Sequence, residues 1–288
     1  MDTTEKQALH DLSLMFTPGR PGIPMLLEKY KYAAELLSVL KEGRDKNIPQ
    51  ELTETAVRFD YGFADSVRRY CRENGVDIIT RYDDSYPQKL SDIDCPPLVI
   101  YCIGDKELLS GERAFTIVGS RDATNYSIKV AERFAENIAA EGHTIISGSA
   151  LGIDSAAHRG ALTGSGKTIA VLGCGVFYDY PKGSGQLKAD IVKSGAVISE
   201  YPPMESPVKS YFTFRNRIIA GLGNGVLVVQ AGAKSGSINT ANHAISQGKD
   251  VFVIPPADIY SDKYKGQSIL IRDGAIPVFE PKDILMNI

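Results

Sequence analysis

The chain has 288 residues, a formal net charge of −3 and a pI near 5.9, with 43% hydrophobic and 23% charged residues. This balance fits one or two globular cores and excludes a chain coated in positive charge, while leaving room for a local basic pocket. No segment approaches the roughly 20 apolar residues that span a bilayer, and residues 1 to 16 lack a basic start followed by an apolar run. Neither a membrane span nor a secretory leader is expected, and the cytoplasm is the expected location.

Residues 1 to about 70 read as helical, with Leu9, Leu12 and Leu14, then Met25 to Leu40, then Glu51 to Tyr70 carrying apolar residues at helical spacing. Pro18, Gly19, Pro21, Gly22 and Pro24 break the first helix from the second. From Asp77 to Asp105 short strand patterns, Ile78-Ile79-Thr80 and Leu98 to Tyr101, flank Pro96-Pro97 and read as a bridge. Regular alternation then begins. Strands are expected at Phe115–Val118, Thr144–Ser147, Thr168–Leu172, Ala196–Ser199, Val226–Val229, Val251–Ile254 and Ile276–Phe279. Helices fall between them from about Asn125, Ile153, Gln186, Arg215 and Ile238. Near-continuous apolar strands between helices predict an α/β, Rossmann-like fold with a mostly parallel sheet covered on both faces. The expected division is a helical domain at 1–70 and a Rossmann-like domain at 71–288, the latter split into a bridging extension, 71–112, and a core, 113–288.

In such sheets ligands sit beyond the carboxyl ends of the strands. Those ends are rich in glycine and small polar residues here. Gly119-Ser120-Arg121 combines a turn glycine, a hydroxyl and a guanidinium ahead of a helix, which suits an anionic oxygen better than a neighbouring carboxylate. Gly148 and Ser149 follow the next strand. Arg215-Asn216-Arg217, read as opening a helix after Tyr211, Phe212 and Phe214, fits a polyanion better than a solvated face. Lys234-Ser235-Gly236-Ser237 offers small donors before another helix. Tyr178, Tyr180 and Lys182 suit either a nucleic acid or tyrosines packed in a loop.

Several tempting motifs fail. Gly166-Lys167-Thr168 has Ala161 where a P-loop needs its first glycine, and it joins helix to strand, the wrong order. Gly173-Cys174-Gly175 has Tyr178 at the third glycine of a dinucleotide fingerprint. Asp154 and His158, one turn apart, read as a structural pair. The four cysteines, Cys71, Cys95, Cys102 and Cys174, contain no Cys-x-x-Cys pair and read as buried free thiols. No metal site, cofactor or catalytic residue is expected.

Taken in order, Tyr86-Pro87, Pro96-Pro97, Gly119-Ser120-Arg121, SGSALGID from Ser147 to Asp154, His158 to Leu162, IAVLGCG ending at Gly175, Tyr180-Pro181, Ser199 to Pro202, RNRIIAGL from Arg215 to Leu222, Ser235-Gly236-Ser237 and Gly274-Ala275 resemble the bacterial DNA-processing protein A family, DprA or Smf. The resemblance implies a helical domain of sterile-alpha-motif type fused to an extended Rossmann domain. It further implies a non-enzymatic homodimer that binds single-stranded DNA and loads the RecA recombinase during DNA uptake and recombination. Carried over, Ser120 and Arg121 would hold phosphate, Lys182 would lie beside it, and Arg215 and Arg217 would form the rim. A rival reading is a Rossmann-like nucleotide-binding sensor or phosphoribohydrolase-type enzyme, for which Glu200 is the strand-end glutamate; the glycine-rich signature of such enzymes is absent at Gly232 to Ser237. Thr213, Ser184, Gln230 and Pro256 depart from the family pattern, several of them at the expected pocket edge.

Overall fold

The computed structural model describes residues 3–16, 18–19 and 22–287; Pro21 of the expected helix break lies outside them. Five helices come first: α1 (Thr3–Met15), α2 (Ile23–Lys29), α3 (Ala33–Glu42), α4 (Gln50–Arg58) and α5 (Tyr61–Glu73). Ala33, Leu36, Leu37 and Leu40 recur at helical spacing and bury one stripe of α3 against Leu9 and Leu12 of α1 and Leu52 and Ala56 of α4. The fifth helix behaves differently. Val67 and Cys71 of α5 pack with Val99, Tyr101 and Ala170 of the sheet, so the boundary expected at residue 70 falls inside a helix that is part of the sheet's packing.

The bridge is more than a connector. It supplies β1 (Asp77–Thr80), the short α6 (Gln88–Ser91) and β2 (Val99–Gly104). Then follow β3 (Ala114–Val118), α7 (Asn125–Ala140), β4 (Thr144–Ser147), α8 (Ile153–Thr163), β5 (Thr168–Leu172), α9 (Gly185–Ser194), β6 (Ala196–Ser199), α10 (Lys209–Leu222), β7 (Gly225–Val228), α11 (Gly236–Ser246), β8 (Asp250–Val253), α12 (Lys265–Arg272), β9 (Ile276–Pro277) and α13 (Pro281–Leu285). Among the described residues the strands form one nine-stranded sheet in the order β1-β2-β6-β5-β4-β3-β7-β8-β9. All neighbours are parallel except β1 with β2 and β2 with β6. No helix is long and apolar enough to cross a membrane among the described residues.

Alternation along the strands divides the core. Phe115 and Ile117 of β3 face α7 and α8, while Ala114 and Val118 face α10 and α11. Each fully buried side chain of this size contributes about 1.5–3 kcal/mol. Thr124 caps α7 by accepting from the Ser127 amide, and Ala131, Phe134, Ala135 and Ile138 form its buried stripe. Two elements differ from the sequence expectation. The α10 helix begins at Lys209, six residues before Arg215, because Thr213 keeps the amide that a proline would lack. Where the sequence reading places no element, α12 forms over Gln267, whose buried amide donates to the carbonyls of Val229 (3.0 Å) and Ile254 (2.7 Å) and accepts from Ala231 (3.2 Å), satisfying the ends of β7 and β8.

Strand order reverses at β3: the chain runs from it through β4, β5 and β6 in one direction, and α10 carries it back to β7 on the other side. The carboxyl ends of β3 and β7 therefore form the switch point at which open α/β sheets present a crevice.

Candidate functional site

A cleft of about 760 Å³ opens at that point. Its floor begins with the turn after β3. A Cβ on Gly119 would lie 2.6 Å from Ile153 and 3.0 Å from the Gln230 carbonyl, so only glycine lets the chain pass. The Ser120 amide donates to that carbonyl at 2.8 Å, and the Ser120 carbonyl accepts from the Ile153 amide at 3.2 Å. The Ser120 amide is thus engaged in holding the turn. What faces the cleft is the Ser120 hydroxyl and the exposed Arg121, neither of which has a hydrogen-bond or ion-pair partner among the described residues.

The second wall is the start of α10. Lys209 and Phe212 line the cleft there, and the Arg121 guanidinium sits 5.5 Å from the centre of the Phe212 ring. Tyr180 packs against that ring at a tilt, 4.9 Å between ring centres. A Cβ on Gly173 would lie 2.8 Å from Phe212, which explains the small residue after β5: it lets the ring lie against the strand end. The sequence reading passed over Lys209, whose only local signal is its position one turn before Phe212.

Arg215 is in the floor, not the rim, at 5% exposed. It donates to the Val171 carbonyl, has no carboxylate within ion-pair distance among the described residues, and leaves its buried Nε without a partner. Burial pulls its pKa down to about 10. Asp154 is buried beside it, and burial pushes this carboxyl up to about 6. Gly148 separates the two: a Cβ there would lie 2.4 Å from Asp154 and 3.0 Å from Arg215, so Gly148 is a spacer and does not line the cleft. Ser149 lines a small recess with Arg121 and Arg215. His158 does not engage Asp154; its ring nitrogens lie 2.7 Å from the Gly148 carbonyl and 2.7 Å from Thr168 Oγ1. Burial lowers its pKa to about 4.

The third wall is α11. Ser235 caps it, its hydroxyl 2.7 Å from that of Ser237, and Asn216 donates to the Gly236 carbonyl (3.2 Å) and to Asn239 (3.1 Å). These three expected residues line the cleft with their side chains already partnered. Lys234 beside them is exposed and has no partner among the described residues. Four cations, Arg121, Lys209, Arg215 and Lys234, thus face a cleft with two lining carboxylates, Asp154 and an Asp122 held by Lys263 at 2.9 Å.

Two further expected contacts, Arg217 at the rim and Lys182 beside the phosphate, lie elsewhere. Arg217 is 2% exposed and donates to both carboxylate oxygens of Glu200, at 2.6 and 2.8 Å, because two positions along a helix turn a side chain to its far side. The same pair occupies Glu200, the glutamate that the rival enzyme reading needs. Lys182 is exposed after the Tyr180-Pro181 turn and does not line the cleft. Of the departures from the family pattern only Thr213 lines it; Gln230 holds the Thr124 amide at 2.9 Å, and Ser184 and Pro256 lie away from it. Cys71, Cys102 and Cys174 are buried as expected, whereas Cys95 is half-buried.

Fold and site together define a Rossmann-like α/β protein with a cationic, aromatic-walled cleft at its switch point. The chain belongs to the DNA recombination-mediator protein A family, whose model matches residues 77–288. It is 40% identical over 214 residues to the DNA processing protein DprA of Bacillus subtilis, covering 74% of this chain and 71% of that protein. It is 41% identical over 203 residues to the Streptococcus pneumoniae protein of the same name, covering 70% and 71%. The X-ray structure of DNA processing protein A from Streptococcus pneumoniae matches with a TM-score of 0.83 at 31% identity, covering 100% of this chain and 98% of that one. A structure of the Helicobacter pylori protein, described for its unique single-stranded DNA binding mode, matches at 0.66 and 30% identity over 73% of this chain and 94% of that one.

Proposed function

We propose that the cleft holds the phosphates of single-stranded DNA, with Arg121, Lys209 and Lys234 as the exposed contacts, Arg215 as a fixed charge beneath them and Phe212 as a base platform. The observation that carries this reading is the charge inventory: three exposed cations without an ion-pair partner among the described residues surround a buried fourth, and the four outnumber the cleft's two carboxylates, Asp154 and Asp122, which suits a polyanion that supplies the missing charge. Phosphate contacts of this kind fix a flexible backbone without reading its bases. The Helicobacter pylori relative's DNA binding supports the same ligand class. The protein then acts by binding, as a non-enzymatic mediator that protects incoming DNA in the cytoplasm and, as a homodimer, hands it to a RecA recombinase. Within this reading the helical part is an accessory domain and the sheet the DNA-binding one.

Titrating labelled oligo-dT against the wild type and Arg121→Ala at several salt concentrations tests this. Binding is expected to weaken with salt, and the substitution to cost about 10-fold or more in affinity through loss of a charge-assisted contact. If both proteins ignore oligo-dT while a mononucleotide raises the melting temperature, the nucleotide-sensor reading replaces this one.

A further inference from the structure

The loop between β5 and α9 separates the cleft from a second concavity. Tyr180 lines the cleft, whereas Phe177, Tyr178, Gly183 and Gly185 line a groove of about 610 Å³ on the loop's other side, floored by Val192 of α9 and Val197 of β6. Both aromatic rings stay open to solvent, Phe177 at 39% and Tyr178 at 36%, while Cys174 and Val176 beside them are buried. An aromatic ring left partly exposed over an apolar groove loses contact area that a flat, apolar ligand restores.

The rings are held, not loose. The Phe177 amide donates to the Pro203 carbonyl (3.0 Å), the Tyr178 amide to Gly175 (3.0 Å) and the Tyr180 amide to Tyr178 (2.9 Å). Lys188 Nζ donates to the Tyr178 carbonyl at 2.6 Å, and Tyr70 of α5 meets Phe177 edge-on at 6.0 Å. Asp179, the carboxylate in the groove wall, accepts from the Gly183 amide at 3.1 Å and so serves the turn. Lys182 lies on this loop between Tyr180 and Gly183, exposed and without a partner among the described residues.

We propose that this groove is a second base-stacking station for the same single-stranded DNA, reached by a strand that passes Tyr180, crosses the loop with a phosphate on Lys182 and lays its next bases on Tyr178 and Phe177. The inference rests on the cleft's being a DNA site. Its occupant follows from continuity and composition: one loop walls both concavities, two aromatic rings line each of them, and the unpaired Lys182 lies on the loop between. Stacking on an aromatic side chain tolerates any base, so the groove lengthens the footprint without adding sequence preference.

The test compares oligo-dT too short to leave the cleft with oligo-dT long enough to cross the loop. Two variants address the groove. Tyr178→Ala removes an exposed platform, and Gly185→Leu fills the groove, since a Cβ at Gly185 meets nothing within 4 Å. Both are expected to lower long-oligomer affinity by about 5-fold or more and to leave short-oligomer affinity unchanged, whereas Arg121→Ala lowers both. Photocrosslinking with 5-iododeoxyuridine in the long oligomer is expected to mark Tyr178 or Phe177. Unchanged long-oligomer affinity in both groove variants overturns the inference, as does a groove variant that keeps that affinity but loses binding to the recombinase, which assigns the groove to a protein. Short-oligomer binding that survives Arg121→Ala instead overturns the cleft reading on its own.

Discussion

Arg217 grips both carboxylate oxygens of Glu200, at 2.6 and 2.8 Å, with both side chains buried. The guanidinium also lies over the Phe214 ring at 3.7 Å and donates to the Cys95 carbonyl at 2.8 Å, so it ties α10 to the end of β6 and to the bridge. Removing one partner strands a buried charge. Arg217→Ala is therefore expected to destabilise the fold by about 3–5 kcal/mol. Arg217→Met with Glu200→Met, which removes both charges, should recover much of that loss. Urea unfolding of the single and double variants measures both, and equal stability of the wild type and Arg217→Ala would contradict the assignment.

That pair also shows what was legible in the sequence. Near-continuous apolar runs between helical segments located the parallel strands, and the glycines after β3 and β5 marked the edge that carries the cleft. Burial of Arg217 was not legible, because its partner lies 17 positions away and only the β6-to-α10 geometry brings them together. The antiparallel pairing of β2 with β6 was hidden for the same reason: Tyr101 opposite Ser199 is a long-range contact with no local signature. Lys209 was missed because Thr213 let α10 begin earlier than the Arg-Asn-Arg motif suggested.

Lys209 and Lys234 line the cleft from different elements, one at the start of α10 and one just before α11, each exposed and unpaired among the described residues. If each neutralises one DNA phosphate, each releases one counter-ion on binding. Lys209→Ala and Lys234→Ala should each reduce the slope of log affinity against log salt by about 0.7, the value for single strands. Salt titration of the two variants and their combination measures this, and a slope that stays at the wild-type value in the combined variant rules out phosphate contact by either lysine.

Phe212 contacts both the Arg121 guanidinium and Tyr180, and Gly173 gives it room. Phe212→Ala is expected to weaken oligo-dT binding by about 5- to 100-fold while leaving the salt slope unchanged, since no cation is lost. Gly173→Val tests the support by a different route. Its side chain has to displace the ring, so it should reproduce the loss in affinity with Phe212 itself intact. Affinity measurements at two salt concentrations separate this stacking effect from a charge effect, which changes the slope.

Asp154 gives the cleft a pH dependence. Its carboxyl is pushed up to about 6 by burial, with Arg215 and Arg121 as the opposing charges, and the nearby His158 is held at about 4 and stays neutral through that range. Because the folded pKa lies above the ordinary carboxylate value, the folded chain holds a proton that the unfolded chain releases. The stability this contributes is complete below about pH 4 and is lost as pH rises through about 6. The same titration acts on the ligand: above about pH 6 the floor carries a negative charge that opposes phosphate, and below it the charge is gone. Oligo-dT affinity is therefore expected to rise as pH falls from about 7.5 to about 5.5. Asp154→Asn removes the charge and keeps an oxygen able to accept from the Ala150 amide, now 3.3 Å from the carboxylate. This variant should bind more tightly at neutral pH and show no inflection near 6. Fluorescence anisotropy across the range measures both; a flat wild-type profile, or weaker binding by the asparagine variant, would mean that Asp154 holds Arg215 in place and does not compete with the DNA.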